Sequence, residues 1–474
     1  MGRPRRRILR FLAVRTWKTP IVRRLVPLSA ARRIDRRLFD YRRRRPIDAA
    51  VPSGPLNASI SAGTHGSEGH TRLLVSVNPN LKREDGHFLA IDRALASSAT
   101  GRDLMFATIA HRSSPHGLGG DRFPVIPCFS NGFDERHLGD PRVAQSLSAF
   151  PDEFARGLAE ARGVLDLPLT TFWYQANLEY VALDGPFVDT TVDHHLHLFF
   201  AHGYDLDDHR QVDHIKGLLG RAAELANVNL SLGTKALADL WGARLGVDLP
   251  VLPSAPSLLP TAPFRPARRE SLVLCPGTSS RGKGYEDTLE LVRLVVDGAP
   301  EASDWELVVR DESYRLGAKE RRLLSRAGTH AQIRLLDGPV DAAELAHLYA
   351  TAGAVVLPYR PDPFALRSSG SFTDAVASGA PLVAVEGTIA GHEVSTYRFG
   401  NTYEAGSLDG LVQAIIGAAT NPDCEVAATR RKELVEENSV GALLTALVGP
   451  DRTTQGSNLG EPSGGDMTRR ETAT

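Results

Sequence analysis

Residues 353–386 read GAVVLPYRPDPFALRSSGSFTDAVASGAPLVAVE, and the fold can be argued outward from them. Ala354 to Leu357 is a short unbroken apolar run stopped by Pro358, the pattern of a parallel strand buried on both faces. Tyr359 to Gly370 is a polar loop with two more prolines and a Ser-Ser-Gly close. Ser371 to Asp374 has capping-box spacing ahead of the apolar run Ala375-Val376-Ala377, so a short helix is expected there. Gly379 ends that helix, and Pro381 to Val385 is a second buried strand. A strand, a loop of small residues and a helix N-terminus together make an anion site. Unpaired backbone N–H groups and the positive end of the helix dipole meet there. Ser368, Ser369, Gly370 and Ser371 are small enough to let a phosphate approach the backbone closely. In an open α/β sheet such a loop lies beyond the carboxyl ends of the strands, where ligands bind.

The rest of the chain repeats the alternation. In the first half, apolar strand-like runs lie at 72–77, 104–109, 169–174, 190–200 and 228–232, with helical stretches between them. The second half has strand-like runs at 272–276, 306–310 and 333–336, with helices over 285–297, 319–327 and 342–350. Strands alternating with helices predict α/β architecture with doubly wound parallel sheets. At 474 residues the chain has room for two or three domains. The expected boundaries are a basic arm over 1–47, a Gly/Ser/Pro-rich linker over 48–69 and a first domain over 70–249. A Pro-rich hinge over 250–270 leads to a second domain over 271–449 and a polar tail over 450–474.

The net charge of −1 hides an asymmetry. Residues 1–47 carry seventeen Lys and Arg against Asp35 and Asp40. Apolar side chains are interleaved with them, Trp17 among these, so the arm reads as a segment for an anionic membrane surface. A solvated arm is the plainer reading. Nucleic acid is not expected as a partner, because the acidic remainder offers no second basic surface. The three cysteines stand far apart with no metal-ligand spacing, which argues for a reducing compartment and against a disulfide framework or a structural zinc. No transmembrane run and no secretory signal pattern occurs. There is no phosphate-binding loop of the Walker type and no nucleophile–base pair with acyl-transfer spacing.

The stretch from Asp374 to Val383 (DAVASGAPLV) resembles the C-terminal half of family 4 glycosyltransferases of the GT-B fold. The likeness extends to Arg281-Gly282-Lys283-Gly284, to 336–348 (LDGPVDAAELAHL), to 391–404 and to 406–418. It implies two Rossmann-like domains facing a cleft, with a nucleotide diphosphate sugar held on the second. Retention at the anomeric carbon and work without a bound metal or other cofactor are implied in the same way. Lys283-Gly284 matches the family's Lys-Gly. The family's arginine lies about five residues before that lysine, where this chain has Thr278, so Arg281 takes the role by inference.

Asp374 stands where the family's second glutamate binds the ribose hydroxyls. The first glutamate's position is Leu366, a departure. Asp362, four residues earlier in an Asp-Pro-Phe-Ala-Leu run, is the candidate replacement. The expected catalytic set is therefore Arg281, Lys283 and Asp362. The donor side is Gly277, Ser369, Gly370, Ser371 and Asp374. Gly86, in the first domain's opening loop, and His195, from the run Val192-Asp193-His194-His195-Leu196-His197, are the acceptor-side candidates. At strand spacing His195 and His197 share one face and His194 takes the other. No metal site is expected.

The reading is a transferase on the cytoplasmic side, peripheral on the inner face of the membrane, acting on a lipid-linked or polysaccharide acceptor. A nucleotide-sugar epimerase of the same fold and a non-catalytic nucleotide-sugar-binding or scaffold protein are the alternatives.

Overall fold

In the first half six strands form one parallel sheet: β1 Arg72–Asn78, β2 Leu104–His111, β3 Val125–Phe129, β4 Leu169–Trp173, β5 Val192–His197 and β6 Val228–Ser231. Their order is β3-β2-β1-β4-β5-β6. The second half repeats the plan with β7 Arg269–Cys275, β8 Glu306–Arg310, β9 Ile333–Leu336, β10 Ala352–Leu357, β11 Leu382–Val385 and β12 Gly400–Tyr403. The order there is β12-β11-β10-β7-β8-β9, which is the first sheet's order read from the other edge. The structure, a computed structural model, describes residues 72–449 except 83–86, 101, 116–117, 121, 133–137, 141, 144–146, 164–166, 184, 254–268, 281, 339, 341 and 421–424. The basic arm, the linker, the tail and most of the Pro-rich hinge lie outside the described residues.

The helices between the strands are α1 His87–Thr100, α2 Phe150–Arg162, α3 His209–Glu224 and α4 Lys235–Leu245 in the first half. In the second half they are α5 Tyr285–Val296, α6 Ala318–Ala327, α7 Ala342–Thr351, α8 Gly370–Ser378, α9 Ile389–Tyr397, α10 Leu408–Thr420, α11 Glu425–Glu437 and α12 Val440–Val448. The central strands are apolar because helices cover both faces of each sheet. All six residues of β10 are buried, as are six of the seven in β1. Strand order reverses between β1 and β4 and again between β7 and β10. A crevice opens at the carboxyl ends on either side of such a reversal. Among the described residues no helix is long and apolar enough to cross a membrane.

Three local features differ from the sequence expectations. β3 contains Pro127, which has no N–H for a ladder, and it survives because it is an edge strand. Its pairing with β2 shifts register between Ala110 and His111, beside that proline. Helix α8 begins at Gly370, not beyond Ser371, because Ser369 takes the extended N-cap conformation (φ −145°, ψ 134°). Asp374 therefore stands deeper in the helix than a capping-box partner would. Finally, α12 falls inside the stretch 271–449 assigned to the second domain, yet it packs on the first. Leu443, Leu444 and Leu447 share a core with Leu74, Leu95 and Phe106. Arg72 Nη1 donates to the carbonyl of Val448 at 3.0 Å, and Arg102 Nη1 to the Thr445 hydroxyl at 2.9 Å.

Candidate functional site

β10 delivers the chain to the reversal point of the second sheet, and Pro358 ends the ladder. Tyr359 then turns inward and is buried. A short helical turn, Pro361–Phe364, lays the Phe364 ring against the Tyr359 ring, with centroids 4.3 Å apart and 26° between planes. Ser369 donates its hydroxyl proton to the Tyr359 oxygen at 3.1 Å, so its side chain does not cap α8. The backbone N–H groups of Gly370 and Ser371 meet no acceptor among the described residues. This nine-residue helix presents open donors where its dipole is positive.

The loop after β7 is fastened to the same place. Arg360 N–H donates to the Gly282 carbonyl at 2.6 Å. Gly284 has φ +59°, and a Cβ there would lie 1.6 Å from the Pro358 carbonyl oxygen, so only glycine allows the contact. The Arg360 guanidinium grips Asp287 with two bonds, 3.0 and 2.7 Å, and the Tyr403 hydroxyl donates to the same carboxylate at 2.9 Å. Hydrogen bonding to Asp287, and after it the charge of that carboxylate, raises the Arg360 pKa against the opposing effect of burial. The result positions Lys283, whose ammonium stands 5.7 Å from the centroid of the Tyr359 ring. Gly277 is buried beside that ring, since a Cβ on it would be 3.8 Å away. Lys283, Gly277 and Ser369 thus converge on one aromatic side chain, although the sequence reading passes over Tyr359. Among the described residues no carboxylate pairs with Lys283.

The remaining candidates are distributed as follows. Asp374 and Ser371 face Tyr349. Burial first, then the charge of Asp374, pushes that phenol well above its ordinary range, while a hydrogen bond from Ser371 opposes the shift. Asp362 is exposed, and its charge reaches His202 in the first domain. Leu366 also faces the first domain and packs on its core.

His195 is half-buried two residues short of the carboxyl end of β5, paired across to Phe172 and Asn229. His197 holds the end itself. It is fully buried, bonded through Nδ1 to the Ser231 hydroxyl at 3.1 Å and stacked on Tyr174, and burial pushes its pKa down to about 4. His194 lies on the opposite face against Phe154 and Phe187, as the strand spacing predicts. Gly86 and Arg281 lie outside the described residues. A cavity of about 1060 Å³ opens between the two sheets. It is lined by Thr234 and Lys235 from the first and by Ser368, Glu386, Thr388 and Arg430 from the second.

No protein-family model matches the sequence, and neither does any curated protein. Solved structures do match its fold. A glycosyltransferase from Rickettsia africae superposes with a TM-score of 0.53 at 11% identity, over 79% of this chain and 96% of that one. HepE from Anabaena, solved with UDP and glucose, gives 0.52 at 14% identity over 82% and 100%. Sucrose-phosphate synthase from Thermosynechococcus elongatus gives 0.50 at 14% over the same shares. The fold is GT-B. Its two sheets have the same strand order, and the open start of α8 stands at the reversal point of the second.

Proposed function

We propose that this chain is a glycosyltransferase that draws a sugar from a nucleotide diphosphate sugar held on its second domain. The observation that carries the reading is the convergence at Tyr359: Ser369, which leads into the open start of α8, bonds its hydroxyl, and the Lys283 ammonium, paired with no carboxylate among the described residues, stands near the same ring. When the bond between the anomeric carbon and the diphosphate breaks, negative charge grows on the departing oxygens. Fixed backbone donors and a nearby cation stabilise that charge without reorganising. Arg281 would add a second cation from the same loop. Asp374, just over one turn into α8, supplies acceptor oxygens for ribose hydroxyls. Asp362 reaches the cleft from the second domain and is the carboxylate available to the reacting sugar. The resemblance to family 4 adds retention and metal independence to the proposal. It also adds a lipid-linked or polysaccharide acceptor entering from the first domain, near Gly86 and His195. The basic arm would bring the enzyme to the inner face of an anionic membrane.

Leu366 favours a second reading. Where a carboxylate would meet the sugar, an apolar side chain faces the other domain, as suits a protein that binds a nucleotide sugar without transferring it. Thermal unfolding against a panel of nucleotides and nucleotide sugars tests the shared donor site. A ligand at a hundredfold excess over its Kd stabilises by about 2.7 kcal/mol. One nucleotide is expected to raise Tm, and Lys283→Ala and Asp374→Ala to abolish the rise. No rise with any nucleotide removes both readings. A rise without sugar release or transfer on product analysis leaves the binding protein.

A further inference from the structure

Residues 364–369 touch both domains at once. Thr234, the N-cap of α4, accepts the N–H of Leu237 at 3.2 Å and donates its hydroxyl proton to the Leu366 carbonyl at 2.8 Å. The Leu366 side chain packs on the core that holds Leu232 and Trp241 in the first domain. The Arg367 guanidinium stands 4.9 Å from the centroid of the Phe199 ring in the first domain and 5.7 Å from that of Phe364 in the second. Its charge also reaches His202 and Tyr174. The segment ends at Ser369, where α8 begins.

We propose that residues 364–369 are a clasp that sets the separation of the two domains and carries that separation to the start of α8. A backbone acceptor, one apolar side chain and one guanidinium over a ring are each modest contacts. Together they make a contact that joins the two domains and can part without breaking either core. The clasp also gives Leu366 a physical reason. A glutamate there would set a charge against an apolar core with no partner to offset its desolvation. Opening the clasp frees the Leu366 carbonyl and the Arg367 side chain, and so loosens the residues that lead into α8.

The test is hydrogen exchange and small-angle scattering on the full chain without nucleotide, so it is independent of the transferase reading. Thr234→Asp keeps the acceptor that caps α4 but loses the proton given to Leu366. Arg367→Met keeps the bulk and removes the cation. In the combined variant the amides of 364–372 are expected to exchange about tenfold faster. The radius of gyration should rise, with β2 and β10 still protected, and Thr234→Ser should match the wild type. Exchange and scattering equal to the wild type in the combined variant overturn the clasp. If that variant loosens the strands as well, Leu366→Glu decides. Faster exchange confined to 364–372 supports the clasp, and wild-type exchange rejects it.

Discussion

Asp92 is a fully buried carboxyl on α1, and it is bonded to the hydroxyls of Ser76 at 2.7 Å and Thr108 at 3.2 Å. Burial raises its pKa from 3.8 to about 7, and the Ser76, Thr108 and Asn78 side chains oppose the rise. The Asp92 charge also acts on the Tyr174 phenol, whose own pKa is raised first by burial. The folded protein therefore holds a proton that the unfolded chain releases above about pH 4. Stability falls as pH rises through the window from about 4 to about 7, by a few kcal/mol in all. Asp92→Asn keeps an acceptor oxygen for one hydroxyl, turns an N–H toward the other and cannot ionise. It should be more stable than the wild type at pH 8 and lose the decline across that window in urea titrations. A variant with the wild-type slope would show that another group titrates there. At this scale the placement of a residue is readable where its type and its place in a strand–loop–helix unit coincide, as for Lys283 and Gly277 on the loop after β7 and for Gly370 and Ser371 at the start of α8. Tyr359 carries no such signal, because an aromatic in a polar loop has no spacing to betray its burial. Arg360 and Asp287 pair across 73 residues, a distance no local pattern spans. The histidine run shows its alternation but not which member reaches the strand end.

Helix α8 offers a test in which structure and ligand binding can be separated. Gly370 is its first residue, a position that tolerates proline because its N–H has no partner within the helix. Ser369 already has the extended backbone that precedes proline. Gly370→Pro should therefore fold with a Tm close to the wild type while removing one of the two open donors. A hydrogen bond to a charged group contributes about 1.5–3 kcal/mol, so nucleotide affinity should drop at least about tenfold in calorimetry. Unchanged affinity would move the phosphate elsewhere. The buried strands were legible because an apolar run of four to eight residues between turn signals has few other uses. The start of α8 was not, because a serine can cap with its side chain or give its hydroxyl to a neighbour. Here Tyr359, eleven residues before Gly370, takes it. β3 and β12 escaped notice for lack of an apolar run: one carries a proline and the other reads GNTY.

Across the whole molecule, two six-stranded sheets of the same order share one chain, and the last described helix returns to the first of them. Leu443 and Leu444 are fully buried. Leu444→Ala should cost about 2–5 kcal/mol. The loss should appear in the first domain, whose Trp173 and Trp241 are buried reporters for fluorescence-monitored denaturation. A loss seen only in signals from the second domain would contradict the packing. The two-domain plan followed from strand–helix alternation, but the return of α12 did not, because an apolar helix near a domain's end looks the same whichever core receives it. That return bears on synthesis. As the chain leaves the ribosome, the sheet that is made first lacks the part of its cover over Leu74 and Phe106 that Leu443, Leu444 and Leu447 supply. The second sheet can close before residues 440–448 emerge to complete the first. The nascent first domain is then the natural client for a chaperone, and the order in which the halves are finished is the reverse of the order in which they are begun.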